Sequence, residues 1–322
     1  MRGDILDITQ TRVIFYLVHP SCLKKIVLIA VLILPLPLVQ AVVIGSGNGS
    51  GNTNAPSGPN GDLGWNYVGS LNGASGVYLG GGNGSGWVLT ANHVRFGNLN
   101  FTLNGTTYSA IAGSGQQIGS IDLYAFRITV GQGTGLSLLS NLTLAGTSPA
   151  VGETLTMIGN GKDRAASKTY WRVNTSTTPY TWTETSNTNF PSGYKQLSTS
   201  SKRWGANLSD GTTNINSTSM IQTTFTDSGI SNEAQAAVGD SGGGVFVPMD
   251  NGSYQLAGIM DLVGTFSGQP ANTAVFGNVT YSIDIATYRE QIIAVTGVPE
   301  PSVWMLLLTG LGVLIATARR RI

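Results

Sequence analysis

The sequence predicts an all-β protein built from many short strands, and three observations carry that expectation. Gly supplies 44 of the 322 residues and charged residues only 10%. Gly and Asn accept the positive φ values that tight turns need, so such a composition suits short strands rather than long helices. From Trp65 onward, short apolar segments (77–79, 86–90, 123–130, 155–158, 244–247 and 255–260) alternate with turn residues, a spacing that reads as a barrel or a sandwich. Helical periodicity shows only over Asp284–Val295, where Ile285, Tyr288, Ile292 and Val295 fall on one face and predict a closing helix of about three turns.

Taken in chain order, residues 1–41 read as a signal peptide with an extended lead-in. Lys24 and Lys25 precede the apolar run Ile26–Val39, and the small residue Ala41 marks the expected cleavage point. Residues 42–61, rich in Gly, Ser and Asn, read as a flexible linker. Residues 62–297 form the expected folded domain. Its stretch 161–230 should hold further strands with inserted loops, and Trp171, Trp182 and Trp204 should serve as core or loop anchors.

Residues 298–322 begin Val298-Pro299-Glu300-Pro301, continue with a 17-residue apolar stretch, Ser302–Ala318, and end with Arg319, Arg320 and Arg321. That stretch sits at the short end of the roughly 17–25 residues that span a bilayer, with its arginines on the cytoplasmic side. The three-part order resembles a PEP-CTERM sorting signal. The resemblance implies a Gram-negative-type bacterium, an exosortase as processing partner, and an exported protein at the cell envelope or beyond, membrane-anchored through this segment.

Charge and cysteine usage exclude several functions. Between residues 42 and 298 there are 10 basic and 13 acidic residues and no basic patch. Nucleic acid is therefore not an expected partner, because phosphate neutralisation needs clustered Lys and Arg. The single cysteine, Cys22, lies in the leader, so disulfides, thiol catalysis and zinc–thiolate sites are excluded from the body. One histidine and no thiol also leave no metal and no cofactor expected there.

The chemistry gathers at Val238-Gly239-Asp240-Ser241-Gly242-Gly243-Gly244. A serine hydroxyl is a poor nucleophile until a neighbouring base takes its proton, and flanking glycines let the backbone approach a substrate. The same letters satisfy the G-x-S-x-G elbow of α/β-hydrolases. That reading requires a histidine after the serine, and none follows Ser241. The chain has two histidines, His19 in the leader and His93, so a Ser–His mechanism in the body must use His93. It lies in Leu89-Thr90-Ala91-Asn92-His93-Val94, at the end of an expected buried strand.

This segment resembles the histidine motif of trypsin- and chymotrypsin-like serine proteases, with Asn92 where alanine is common. Gly239-Asp240-Ser241-Gly242-Gly243 is similar to their serine motif, Ile121-Asp122-Leu123-Tyr124-Ala125 resembles their aspartate segment, and the order His, Asp, Ser matches. The resemblance covers roughly residues 65–296. It implies two antiparallel six-stranded β-barrels with a short C-terminal helix, and a serine endopeptidase acting on protein or peptide substrates through an acyl-enzyme. In it Ser241 attacks, His93 is the general base, Asp122 orients the imidazole, and the backbone N–H groups of Gly239 and Ser241 form the oxyanion hole. Residues Gln235, Gly258 and Asp261 would belong to the specificity pocket, with Gln235 at its base and a neutral or polar preference.

Asp261 departs from the family pattern, standing where a serine usually supports the triad aspartate. Two carboxylates there would repel and raise one pKa, so Asp261 is also an alternative triad acid. Asp240 in relatives pairs with a freed N-terminal amine. Val42-Val43-Ile44-Gly45 faintly resembles such an end, although a simple linker is the plainer reading. The competing function is a catalytically inactive surface binding or matrix protein with the same fold.

Overall fold

The computed structural model describes residues 42–57, 61–131, 135–227 and 229–298; the expected signal peptide and, beyond Val298, the expected sorting segment lie outside them. Among the described residues no helix is long and apolar enough to cross a membrane. The secondary structure is strand throughout, apart from three short 3-10 turns and one α-helix.

Two seven-stranded antiparallel sheets dominate. The N-terminal sheet runs in the spatial order Thr106–Tyr108, Phe101–Leu103, Val68–Leu71, Ala74–Gly82, Ser85–Ala91, Leu123–Thr129, Gln116–Gln117. It curls on itself. Ile111 N–H donates to Arg127 O (2.8 Å) and Thr129 N–H to Ser109 O (2.9 Å), joining the continuation of the first strand to the sixth. The C-terminal sheet runs Arg203–Leu208, Thr154–Gly159, Gly244–Pro248, Tyr254–Gly264, Val279–Asp284, Thr218–Thr224, Thr212–Ile215. It closes in the same manner, Asp210 N–H donating to Gln222 O (2.8 Å) and Gln222 N–H to Gly211 O (3.0 Å). Each closure joins six strands into a barrel, and the seventh extends the edge. Closure satisfies backbone groups that an open edge would leave unpaired.

The cores follow from which face each strand turns inward. In Leu123–Thr129, Phe126 and Ile128 are buried on one face, while the other runs from buried Leu123 and Ala125 to Arg127 and Thr129 in water, the two faces that successive side chains of a strand supply. Val77, Leu89, Phe101 and Phe126 fill the first barrel, and Ile158, Phe246, Leu256, Ile259 and Ile283 of the second pack into the same apolar cluster. The contact between the barrels is therefore itself a close-packed apolar core, which fixes the residues that each barrel carries beside that seam.

Residues 161–230 do contain further strands. Lys162–Arg164, Thr169–Asn174, Thr181–Thr185 and Ser192–Ser200 form a five-stranded sheet with Thr273–Val275. Trp171 is 1% exposed and meets Trp182 edge-on at 6.2 Å, so both are anchors. The helix spans Ile285–Thr296 and ends at Gly297, whose φ of 57° lets its N–H reach back to Ile293 O. A left-handed glycine is a common helix stop.

The start of the expected linker differs from the reading of its composition. Val42, Val43 and Ile44 are buried, and Val43–Ile44 pairs antiparallel with Ala234–Gln235. Arg164 clasps the following turn, donating to the carbonyls of Ile44 (2.7 Å), Ser46 (2.8 Å) and Gly47 (2.7 Å). Three apolar residues in a row and one forked guanidinium outweigh the flexibility of the neighbouring glycines.

Candidate active site

The strand Ser85–Ala91 ends in a 3-10 turn, Asn92–Val94, that carries His93. Its neighbour Leu123–Thr129 starts opposite, Ala91 pairing with Leu123. That register sets Asp122 beside the turn. Asn92 N–H donates to Asp122 O (3.0 Å), and His93 N–H donates to Asp122 Oδ1 (2.7 Å). The other carboxylate oxygen, Oδ2, lies 2.7 Å from His93 Nδ1. Backbone and ring are thus held by one carboxylate, which fixes a proton on Nδ1 and leaves Nε2 as the nitrogen that titrates.

Asp261 approaches the same ring from the second barrel, its Oδ1 3.4 Å from Nδ1. It sits near the end of Tyr254–Gly264, just past a bulge at Met260–Leu262. The side chains of His93, Asp122 and Asp261 are 44%, 33% and 2% exposed, a gradient from solvent to interior. The hydrogen bond to Asp122, reinforced by Asp261, raises the His93 pKa to about 10. Burial pushes the Asp122 carboxyl up, but the bonds from the His93 ring and amide outweigh it and the net shift is down. Burial, with Asp122 nearby, raises Asp261.

Ser241 lies in the loop between Ala234–Gln235 and Gly244–Pro248, half-buried. Gly242 N–H donates to Met260 O (2.8 Å) and Met260 N–H to Gly243 O (2.9 Å), tying the loop to the residue before Asp261. Ser75 of the first barrel holds the other side. Its N–H donates to Ser241 O (3.0 Å), its hydroxyl donates to Gly239 O (3.0 Å), and that hydroxyl accepts from Asn160 N–H (2.8 Å). Thr90, three residues before His93, bonds Ser75 O (2.7 Å). One short network therefore fixes the serine loop against the histidine strand. Ser75 and Thr90 carry no sequence signal, because their role exists only once segments 85 and 164 residues from Ser75 meet it.

Two glycines make this approach sterically open. Gly239 has φ 96° and Gly242 φ 83°; a Cβ on Gly242 would lie 2.1 Å from Ser75 O and from Thr90 Oγ1. Among the described residues neither the Gly239 nor the Ser241 N–H donates to a protein acceptor, so both are available to an incoming oxygen. Nor does a hydrogen bond join Ser241 Oγ to His93 among them, a contact that in such sites tightens when substrate binds.

Asp240 is fully buried. Its carboxylate accepts N–H bonds from Gly161 (2.8 Å) and Ala237 (2.7 Å), and a further one from Val42. Burial raises its pKa to about 7 against those bonds. Gln235 is 1% exposed and neither side-chain amide atom has a hydrogen-bond partner. Gly258 lies mid-strand, paired with both Val245 and Asp284.

His93, Asp122 and Asp261 are also the one cluster of three ligand-type side chains among the described residues, with donor atoms within 4.8 Å of one another. The geometry between His93 and Asp122 is that of a proton. Two tetrahedral zinc ligands at about 2.1 Å would stand about 3.4 Å apart, against the observed 2.7 Å.

No family model and no curated protein matches the chain. Among solved structures it is similar to neuropsin, a serine protease from mouse brain (18% identity, 75% of this chain, 96% of that one, TM-score 0.45). It is also similar to kallikrein-related peptidase 10 (14%, 74% and 98%, TM-score 0.43) and to Rv3671c of M. tuberculosis in an inactive form (13%, 73% and 89%, TM-score 0.39). At these identities nothing about the chemistry of this chain is carried over from them.

Proposed function

We propose that the protein is a serine endopeptidase that hydrolyses peptide bonds through Ser241, His93 and Asp122. The observation that carries this is the 2.7 Å bond from His93 Nδ1 to Asp122 on a ring that Asp261 approaches at 3.4 Å, one residue after the Met260 that bonds the glycine-rich serine loop. Nε2 takes the proton of Ser241 as Oγ attacks the scissile carbonyl, and Asp122 stabilises the imidazolium. The amides of Gly239 and Ser241 receive the oxyanion, each such donor contributing about 3 kcal/mol in the transition state. His93 then protonates the leaving amine, and water cleaves the acyl-enzyme with the same base. Gln235, a neutral amide at the pocket base, favours an uncharged or polar side chain at the residue before the cleaved bond.

Activation belongs to the same reading. Among the described residues no cation is paired with the buried Asp240, and Val42 N–H donates to it. Val42 also holds φ 42°, unfavourable for a β-branched residue inside a chain. Cleavage after Ala41 removes that strain, because φ no longer exists, and turns the amide into an ammonium. Removal of the leader during export would thus complete the Gly239–Ser241 loop. Sorting by the tail, with exosortase processing at the envelope, is part of the proposal.

A fluorophosphonate probe with mass mapping tests it. Labelling at Ser241, lost in His93→Ala, together with Ser241-dependent casein hydrolysis, supports the enzyme. Absence of both returns the chain to an inactive binding or matrix protein.

A further inference from the structure

The position of Asp261 has a consequence beyond a three-residue triad, and it rests on the protease reading only for its kinetic part. Its side chain is 2% exposed, and its Oδ1 lies 3.4 Å from His93 Nδ1. Yet that oxygen accepts no aligned hydrogen bond. The Nδ1 proton is committed to Asp122 Oδ2 at 2.7 Å. One polar atom from each of the three groups lies within 4.8 Å of the other two, so two carboxyls crowd one imidazole.

The surroundings offer no charge to balance a second carboxylate. The titratable groups that face Asp261 are His93 and Asp122, both from the first barrel. On its own sheet, the adjoining strands present Ser282 and Tyr281 on one side and the Gly243–Gly244 backbone on the other. Arg95, two residues from His93, is turned to Asn92 Oδ1 (2.6 Å). Among the described residues no Lys or Arg pairs with either carboxylate. Two like charges this close, one of them desolvated, cannot both ionise freely, and the more buried one takes the proton.

We propose that Asp261 is a positioning residue that stays a neutral carboxylic acid, donating its O–H to Asp122 so that the pair behind His93 carries one negative charge. The proton remains on Asp261 throughout, while Asp122 keeps its bond to Nδ1 and His93 alone exchanges protons with the serine. The second barrel thereby orients the aspartate of the first. It also eases proton release from His93, because a neutral Asp261 withdraws one of the two negative partners that raise the ring's proton affinity.

The test uses the full chain carrying His19→Gln, so that His93 is its sole imidazole, and Ser241→Ala to prevent self-cleavage. The His93 ring is titrated by NMR and protonated carboxyl groups are followed by difference infrared spectroscopy, with Asp261 and with Asp261→Asn. The amide mimics the acid, donating one hydrogen bond without charge. At pH 7 the proposal expects one protonated-carboxyl band that Asp261→Asn lacks, beside the band of the buried Asp240 that both forms share, with the His93 midpoint moving by less than about one unit. A fall of the midpoint by more than that, or carboxyl bands identical in the two forms, overturns it. If Asp261→Asn fails to fold, Asp261→Ser keeps the donor and serves in its place. In the Ser241 form, the acid limb of kcat/KM follows the same shift. Should hydrolysis not depend on Ser241, the protease reading falls, while the two spectroscopic readouts still decide the state of Asp261.

Discussion

At His93 the proton affinity is set by what lies behind the ring rather than by exposure. Asp122 supplies two short bonds, one to the backbone and one to the imidazole. Asp122→Asn would present a donor to Nδ1 and favour the wrong tautomer, so kcat should fall on the order of 10³–10⁴-fold with little change in KM. Ser241→Ala and His93→Ala should each abolish probe labelling, and their double variant should lose no more activity than either alone, because the two act as one unit. The three positions were legible as residues: a unique histidine after an apolar strand, a serine in a glycine cluster, an aspartate among alternating apolar neighbours. The choice between Asp122 and Asp261 was not legible, since both stand at the ends of buried strands in the sequence. The structure brings both to Nδ1 and separates them by exposure, 33% against 2%.

At the scale of elements, the serine loop is held by close approach of backbone to backbone. Gly242→Ala would set a methyl 2.1 Å from Ser75 O and Thr90 Oγ1 at a φ that L residues avoid. Strain and overpacking together should cost about 3 kcal/mol, a fall of roughly 6–12 °C in Tm for a domain of this size, read by calorimetry. Ser75→Ala removes two hydrogen bonds from the same loop and should lower kcat more than stability. Strands and the closing helix were readable because period-2 and period-3.6 patterns are local. Val43–Ile44 was not, because a two-residue strand has no period. Its pairing with Ala234–Gln235 across 190 residues, and the hold of Arg164 on the turn after it, exist only in three dimensions.

For the whole molecule, stability should depend on whether the leader has been removed. In the uncleaved chain Asp240 keeps its proton to about pH 7, whereas in the unfolded chain it ionises near the ordinary carboxylate value. Between those pH values the native state binds more protons, so stability falls as pH rises from about 4 to 7. After cleavage the Val42 ammonium pairs with the carboxylate and that decline should vanish or reverse. Thermal melts of the precursor and of the chain beginning at Val42, compared at pH 5 and pH 7.5, check this. N-terminal sequencing of exported protein should return Val42.

The sequence by itself determined the all-β class, the single imidazole of the body, the nucleophile candidate and the absence of thiols from residues 42–298. These follow from composition, order and short-range periodicity, which need no partner strand. Tertiary structure alone decided which carboxyls reach His93, that Ser75 and Thr90 lock the serine loop, and that Val42 lies against a buried Asp240. Each of these joins segments far apart in the chain, and such contacts arise only where barrel closure and the apolar seam between the barrels fix two strands at hydrogen-bonding distance.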